Sequence, residues 1–184
     1  MFFHEPTMFA MEGDLALVTL CHGTFHPSPI DDRKSYYEYL VYQAGEAELT
    51  RLPHPAPEML AMGSHCFNSS AIGLVPYSSS KILSPSQDDD ACDAYRIAAL
   101  GKDFLQDSAT ANGPYYLCIY DSKARAWTRK PCTIPQPPLP PFDFNPDTTI
   151  TLGGGIVAWV DLWSGMLLSD VLAAADHAPF HLLR

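Results

Sequence analysis

Seven histidines, at positions 4, 22, 26, 54, 65, 177 and 181, are the first residues to weigh for chemistry. His22 and His26, and again His177 and His181, stand four apart, the spacing that sets two imidazoles on one helix face where they could share a metal ion. Both pairs lie among prolines or in β-like sequence, so the spacing does not become a shared face and no metal site is assigned. His65 adjoins Cys66, a base beside a nucleophile in residue type only, because neighbours on a strand point to opposite faces. Gly153, Gly154 and Gly155 lack the lysine and following helix of a phosphate loop and read as a turn between two β runs. Asp161 and Asp170 resemble the paired carboxylates of acid–base catalysis, yet in a strand meander one caps a turn and the other is exposed. No catalytic, cofactor-binding or metal-ligating residue is assigned, and the chain is read as non-enzymatic. An enzyme is the alternative if a His, a Cys and an Asp converge within hydrogen-bond reach in a cleft.

Binding chemistry is better represented. Three tryptophans (Trp127, Trp159, Trp163) and the tyrosines at 36, 37, 39, 115 and 116 supply the large amphipathic surface that protein interfaces use as anchors. Packing between sheets competes for the same rings. Arg51 and Arg129 are candidates for a basic pair facing a partner, or for pairing with acidic neighbours. The candidate partner-binding set is Tyr36, Tyr37, Arg51, Trp127, Arg129, Trp159 and Trp163.

The elements that would position these residues are strands. Residues 12–25 (EGDLALVTLCHGTF) alternate loosely before the turn-rich HPSPIDD. Residues 36–53 (YYEYLVYQAGEAELTRLP) hold two β runs around QAGEAE, with Gly45 as the permissive turn residue, and predict a hairpin. Residues 54–71 are loop-like, as are SSSKILSPSQDDD and its acidic run, read as a solvated loop. Strand character returns at 95–100, and 115–131 (YYLCIYDSKARAWTRKP) predicts a second hairpin around DSKA. Residues 132–147 form a proline-rich linker or loop, too rich in proline for a sheet interior. The remainder predicts a three-strand meander: TTITL, a glycine turn, a strand through Trp159 to Leu162, a turn at Ser164-Gly165, and a strand from Met166 to Leu172.

Composition bounds the whole. The 184 residues, 47% apolar and only 17% charged, suffice for one β domain over 1–184 and argue against disorder. A net charge of −10 repels phosphate backbones and anionic headgroups, so nucleic acid is not an expected partner. The N-terminus has no basic region and breaks its apolar stretch with Glu5, Glu12 and Asp14, unlike a signal peptide, and no run reaches the ~18 apolar residues of a membrane helix. Five cysteines without CxxC spacing point to reduced thiols and an intracellular, cytoplasmic or nuclear setting.

Repetition is the most informative pattern. LVYQAGEAELTRLP (40–53) aligns without gaps on CIYDSKARAWTRKP (118–131), so that Tyr42, Thr50, Arg51 and Pro53 match Tyr120, Thr128, Arg129 and Pro131. Apolar strand, polar turn, apolar position, Thr-Arg and Pro is the pattern of outer blade hairpins in propellers, and VAWVDLWSGMLLSDVL reads as a third such hairpin. The fold expected is all-β: antiparallel hairpins and meanders in a partial propeller-like repeat domain of about three to four blades.

The motifs YYEYLVYQAG, ELTRLPHP, GLVPYS, YRIAAL, YLCIYDSKARAWTRK and ITLGGGIVAWVDLWSGMLLSDVL resemble, over 36–184, the plant domain-of-unknown-function 1618 family, which is expanded in grasses. The resemblance implies a propeller about twice this length, with the WVDLW-type motif near its middle. It implies no activity; it does imply links to pollen viability, hybrid sterility, stress responses and development, including a toxin or antidote role in gamete survival. Half a propeller leaves open sheet edges and an uncovered core face. The expectation is therefore a protein partner or self-association through those edges, with rearrangement into a sandwich-like body as the other solution, and with neither cofactor nor membrane insertion.

Overall fold

The computed structural model describes residues 2–3, 6–23, 36–56, 59, 67–78, 94–102, 115–133, 144–173 and 178–183. Within them the chain is built from strands, and no α-helix is present among the described residues. The N-terminal strands β1 (Phe2–Phe3) and β2 (Thr7–Glu12) lie end to end along one edge of β3 (Leu15–Gly23). On its other edge β3 pairs with β4 (Tyr36–Gln43), which pairs with β5 (Glu48–Arg51). This antiparallel sheet is blade 1. Blade 2 is a meander of β6 (Ile72–Tyr77), β7 (Ala94–Lys102), β8 (Tyr115–Asp121) and β9 (Ala126–Thr133). Blade 3 follows with β10 (Thr148–Gly153), β11 (Ile156–Asp161) and β12 (Gly165–Asp170). The chain then adds β13 (Ala178–Pro179) parallel to β9 and β14 (His181–Leu183) antiparallel to β12. One short segment thus straps the outer edge of blade 2 to that of blade 3, with the wholly buried Phe180 between the two strands.

The blades form an arc in the order 1, 2, 3. Their first strands, β2, β6 and β10, meet along the inner side, β6 touching both of the others. Two cores fill the arc. Leu15, Leu17, Tyr39 and Val41 of blade 1 pack on Ile72, Leu74, Ile97, Ala99, Tyr116, Cys118 and Tyr120 of blade 2. The opposite face of blade 2, with Val75, Ala98, Leu100, Tyr115, Leu117 and Ile119, packs on Val157, Trp159 and Leu167 of blade 3. Side chains alternate faces along a strand, so β8 sends 115, 117 and 119 one way and 116, 118 and 120 the other, and all six are buried. Its continuous apolar run is the sequence form of a strand covered on both faces.

Carbonyls left at the blade joints are met by named donors. The indole N–H of Trp159 donates to the Ala71 carbonyl at 2.9 Å, and that of Trp127 to Pro53 at 2.8 Å. Thr149 and Thr151 on β10 donate to the carbonyls of Ser70 (2.8 Å) and Leu74 (3.0 Å). Arg96 on β7 reaches Asp121 at 2.8 Å and the Val171 carbonyl at 2.8 Å, tying blade 2 to the end of β12. Buried carbonyls deprived of water need such partners.

The expected hairpins at 36–53 and 115–131 are present as β4–β5 and β8–β9, and the last meander as β10–β12. Four boundaries or roles differ. In the first hairpin the left-handed turn residue is Ala47 (φ 50°), not Gly45; Arg125 (φ 52°) stands at the matching repeat position. Cys132 and Thr133, assigned to the proline-rich linker, continue β9 because their backbone pairs with β13; 134–143 lie outside the described residues. The third hairpin is offset: β11–β12 are the second and third strands of blade 3, whereas the two repeats are third and fourth strands of theirs, because β10 takes the inner place beside β6. Of Asp161 and Asp170, expected to divide into one turn cap and one exposed residue, Asp170 is the exposed one, yet both are caps, Asp170 accepting from the backbone N–H of Leu172 and Ala173. The acidic run 88–90, His26, His65, Cys66 and His177 lie outside the described residues.

Two substitutions probe this frame. A Cβ on Gly101 would stand 2.2 Å from the Tyr116 ring that covers it from the paired strand, so Gly101→Ala should lower stability by about 1–3 kcal/mol in urea unfolding. Ala47→Gly removes the cost of a left-handed alanine and should raise the unfolding free energy measured in urea by up to about 1 kcal/mol.

Candidate partner-binding surface

The turn between β11 and β12 is built by carboxylates. Asp161, only 5% exposed, accepts from the backbone N–H of Trp163 (2.8 Å) and Ser164 (2.9 Å) through one oxygen and of Asn145 (2.8 Å) through the other. Asp147 accepts from the N–H of Leu162 at 2.9 Å. An aspartate that takes the amides two and three residues on is the standard means of closing a turn. Asp121 does the same at the β8–β9 turn for Lys123 and Ala124. Burial pushes the Asp161 carboxyl up, but the amides of Asn145, Trp163 and Ser164 outweigh it and hold it below the usual carboxylate range. What the β11–β12 turn carries is apolar: Leu162 is 77% exposed and Trp163 96% exposed.

The other sequence candidates are scattered and mostly employed inside the fold. Trp159 is wholly buried, bonded to Ala71 and packed on Phe180 at 5.6 Å, and cannot face a partner. Its β11 neighbours are apolar on both sides, and only the packing of blade 3 on blade 2 decides that its face is internal. Trp127 is half-buried against Phe67 (5.2 Å), Tyr120 (5.3 Å) and Tyr39 (6.2 Å). Arg129 lies over the Tyr116 ring at 3.7 Å, and at the equivalent place Arg51 pairs with Glu38 at 2.6 Å. Both are cross-strand diagonal contacts on one sheet, not a joint basic patch. Tyr37 is half-buried on β4; Tyr36 begins β4 opposite His22. Among the described side chains of the set Trp163 alone is almost fully exposed, and its neighbour Leu162 was not in the set, although its place directly after the turn-capping Asp161 was the available clue.

Among the described residues the candidate catalytic arrangements do not come together. Asp161 and Asp170 sit at opposite ends of the β11–β12 ladder, pairing with Gly165 and Ile156, roughly 17 Å apart at the rise of a strand. Among the described residues no three His, Cys, Asp or Glu side chains cluster as metal ligands. Cys118 and Cys132 are free and buried; burial pushes the Cys118 thiol up to about 12 and that of Cys132 well above its ordinary value, the opposite of an activated nucleophile. A cleft of about 260 Å³ runs along the inner side of the arc between β2, β6 and β10, lined by Phe9, Met11, Ile72, Thr149 and Ile150 among others, with Glu12 as the one ionisable side chain among the described residues that line it. No described helix is long and apolar enough to cross a membrane.

The fold and this surface define a class: an all-β, partial propeller-like domain of three four-strand antiparallel blades with an exposed apolar turn. Beyond the class, no family model, curated protein or solved structure matches the chain.

The turn's dependence on Asp161 has a pH signature. Because its folded pKa is depressed, the stabilisation is present above the ordinary carboxylate value and is lost as pH falls through the folded one. Asp161→Ala should cost about 2 kcal/mol at pH 7, and urea unfolding repeated toward pH 3 should show the gap between the two proteins closing.

Proposed function

We propose that this chain is a non-enzymatic protein-interaction domain whose contact point is the Leu162–Trp163 turn. One observation carries the reading: a tryptophan and a leucine, together the most exposed large apolar side chains described, stand on a turn whose three successive backbone N–H groups are held by Asp147 and Asp161. An unbraced Trp would lose side-chain and backbone freedom on binding, whereas a pre-ordered turn has already given up the backbone part. Tryptophan is also the residue most enriched among interface hot spots. The acidic surface, −10 over the chain, favours a partner with basic groups around an apolar pocket that accepts the indole.

The resemblance of residues 36–184 to the plant domain-of-unknown-function 1618 family belongs to the same proposal: a role in pollen viability, hybrid sterility or stress responses would be exercised through such a contact. The free thiols of Cys118 and Cys132, set in the core without a disulfide, support a reducing, intracellular compartment.

Selection of a displayed peptide library on the folded domain tests the reading. Ligands enriched on the native protein should lose at least about thirtyfold in affinity on Trp163→Ala, about 2 kcal/mol or more for a hot-spot residue, while the urea midpoint stays unchanged because the ring contributes nothing to the core. Ligands that bind the Trp163→Ala protein equally well would refute the assignment.

A further inference from the structure

The repeat that defines the blades also shows what is missing from their ends. On blade 2 the face formed by Tyr116, Cys118, Tyr120 and Trp127 is covered by blade 1. The gapless alignment places Glu38, Leu40, Tyr42 and Leu49 of blade 1 at those same positions; among the described residues no blade packs on them, and although Leu40 stays buried, Tyr42 and Leu49 are exposed. Tyr120 is 3% exposed and its counterpart Tyr42 is 41% exposed. Ladder register puts Met8 beside Val18 and Leu40, and Met11 beside Ala16, Tyr42 and Leu49, so they share this uncovered face; Met8, Met11 and Leu49 are each more than half exposed.

Blade 3 has the converse. Its inward face, with Val157, Trp159 and Leu167, packs on blade 2. The other face carries Ile150, Leu152, Val160, Met166, Leu168 and Leu183, of which Ile150, Leu152 and Leu183 are exposed. By topology this is the face that, on blade 1 and blade 2, receives the next blade. The described arc therefore presents one donor face and one acceptor face of a single kind of joint, the joint it already makes twice internally.

From this we infer that two copies of the chain close head to tail into a six-bladed ring, blade 3 of each packing on blade 1 of the other about a two-fold axis along the inner cleft. A second copy is the occupant because it carries both matching faces, and because two identical heterologous joints related by a two-fold axis close without leaving an end. Six blades fall within the range of four to eight that propellers adopt. Closure would place β10 of one copy against β2 of the other, as β6 already lies against β2 and β10, and would bring two halves of the inner cleft together. Each copy carries −10, so association must overcome mutual repulsion through an apolar joint and should strengthen as salt is raised. This joint is distinct from the Leu162–Trp163 turn, so either proposal can fail without the other.

The test is solution mass by light scattering across concentration and salt. The expected result is twice 20.3 kDa, with the dimer fraction rising between low and high salt. Met11→Asp and Ile150→Asp alter exposed positions, should leave the circular dichroism spectrum unchanged, and should each yield monomer. Mixed, they should recover a one-to-one pair, because blade 3 of the Met11→Asp copy and blade 1 of the Ile150→Asp copy still form one intact joint. Trp163→Ala should leave the mass unchanged. A monomer at all concentrations, a trimer or open filament, or singly substituted proteins that remain dimeric would overturn the ring.

Discussion

Everything in this fold depends on blade 2 being covered from both sides. A sheet of four short strands has too little apolar surface to hold itself in water unless a face is buried, and here one strand, β8, contributes to both cores at once through Tyr115, Leu117 and Ile119 on one side and Tyr116, Cys118 and Tyr120 on the other. Among the described residues, blades 1 and 3 each pack on another blade through one face. The polar closures follow the same geometry: Trp127 and Trp159 each hand an indole N–H across a joint, and Arg96 reaches from β7 to the end of β12. Phe180, between β13 and β14, fills the remaining gap and locks the second joint.

Much of this was legible in the sequence where local chemistry decides the outcome. Hairpins 36–53 and 115–131 announce themselves by β-branched and aromatic runs around polar turns, and the gapless match between them is reproduced down to the left-handed residue, Ala47 in one and Arg125 in the other. Gly45 attracted the turn assignment because glycine tolerates left-handed backbone most readily, but the turn's geometry sets the position and the sequence there merely accepts it. The candidate site was legible only in part. Period-two alternation tells which residues share a face and not what that face meets, so Trp159 and Trp163 look alike in sequence although one is in the core and the other in solvent. Strand order within a blade is a tertiary matter, decided by β10 packing beside β6, and no local pattern in VAWVDLWSGMLL distinguishes a second-and-third from a third-and-fourth pair.

The surface left by this construction divides into three kinds. The inner cleft is small and shared among three strands. The end faces are apolar because they are ordinary blade faces without their neighbour. The β11–β12 turn is apolar for a different reason: Asp147 and Asp161 spend their acceptors on holding backbone, which leaves Leu162 and Trp163 outward with no packing duty.

Amide hydrogen exchange, followed residue by residue, tests the central claim that blade 2 is the hub. Protection should be greatest at Leu117, Cys118 and Ile119 of β8 and their β7 partners, exchanging only with global unfolding, while β2, β10 and β14 open earlier. If β3 and β4 of blade 1 stayed protected while β8 exchanged through local opening, blade 1 would be stable by itself and the two-sided burial of blade 2 would not be what holds the arc together.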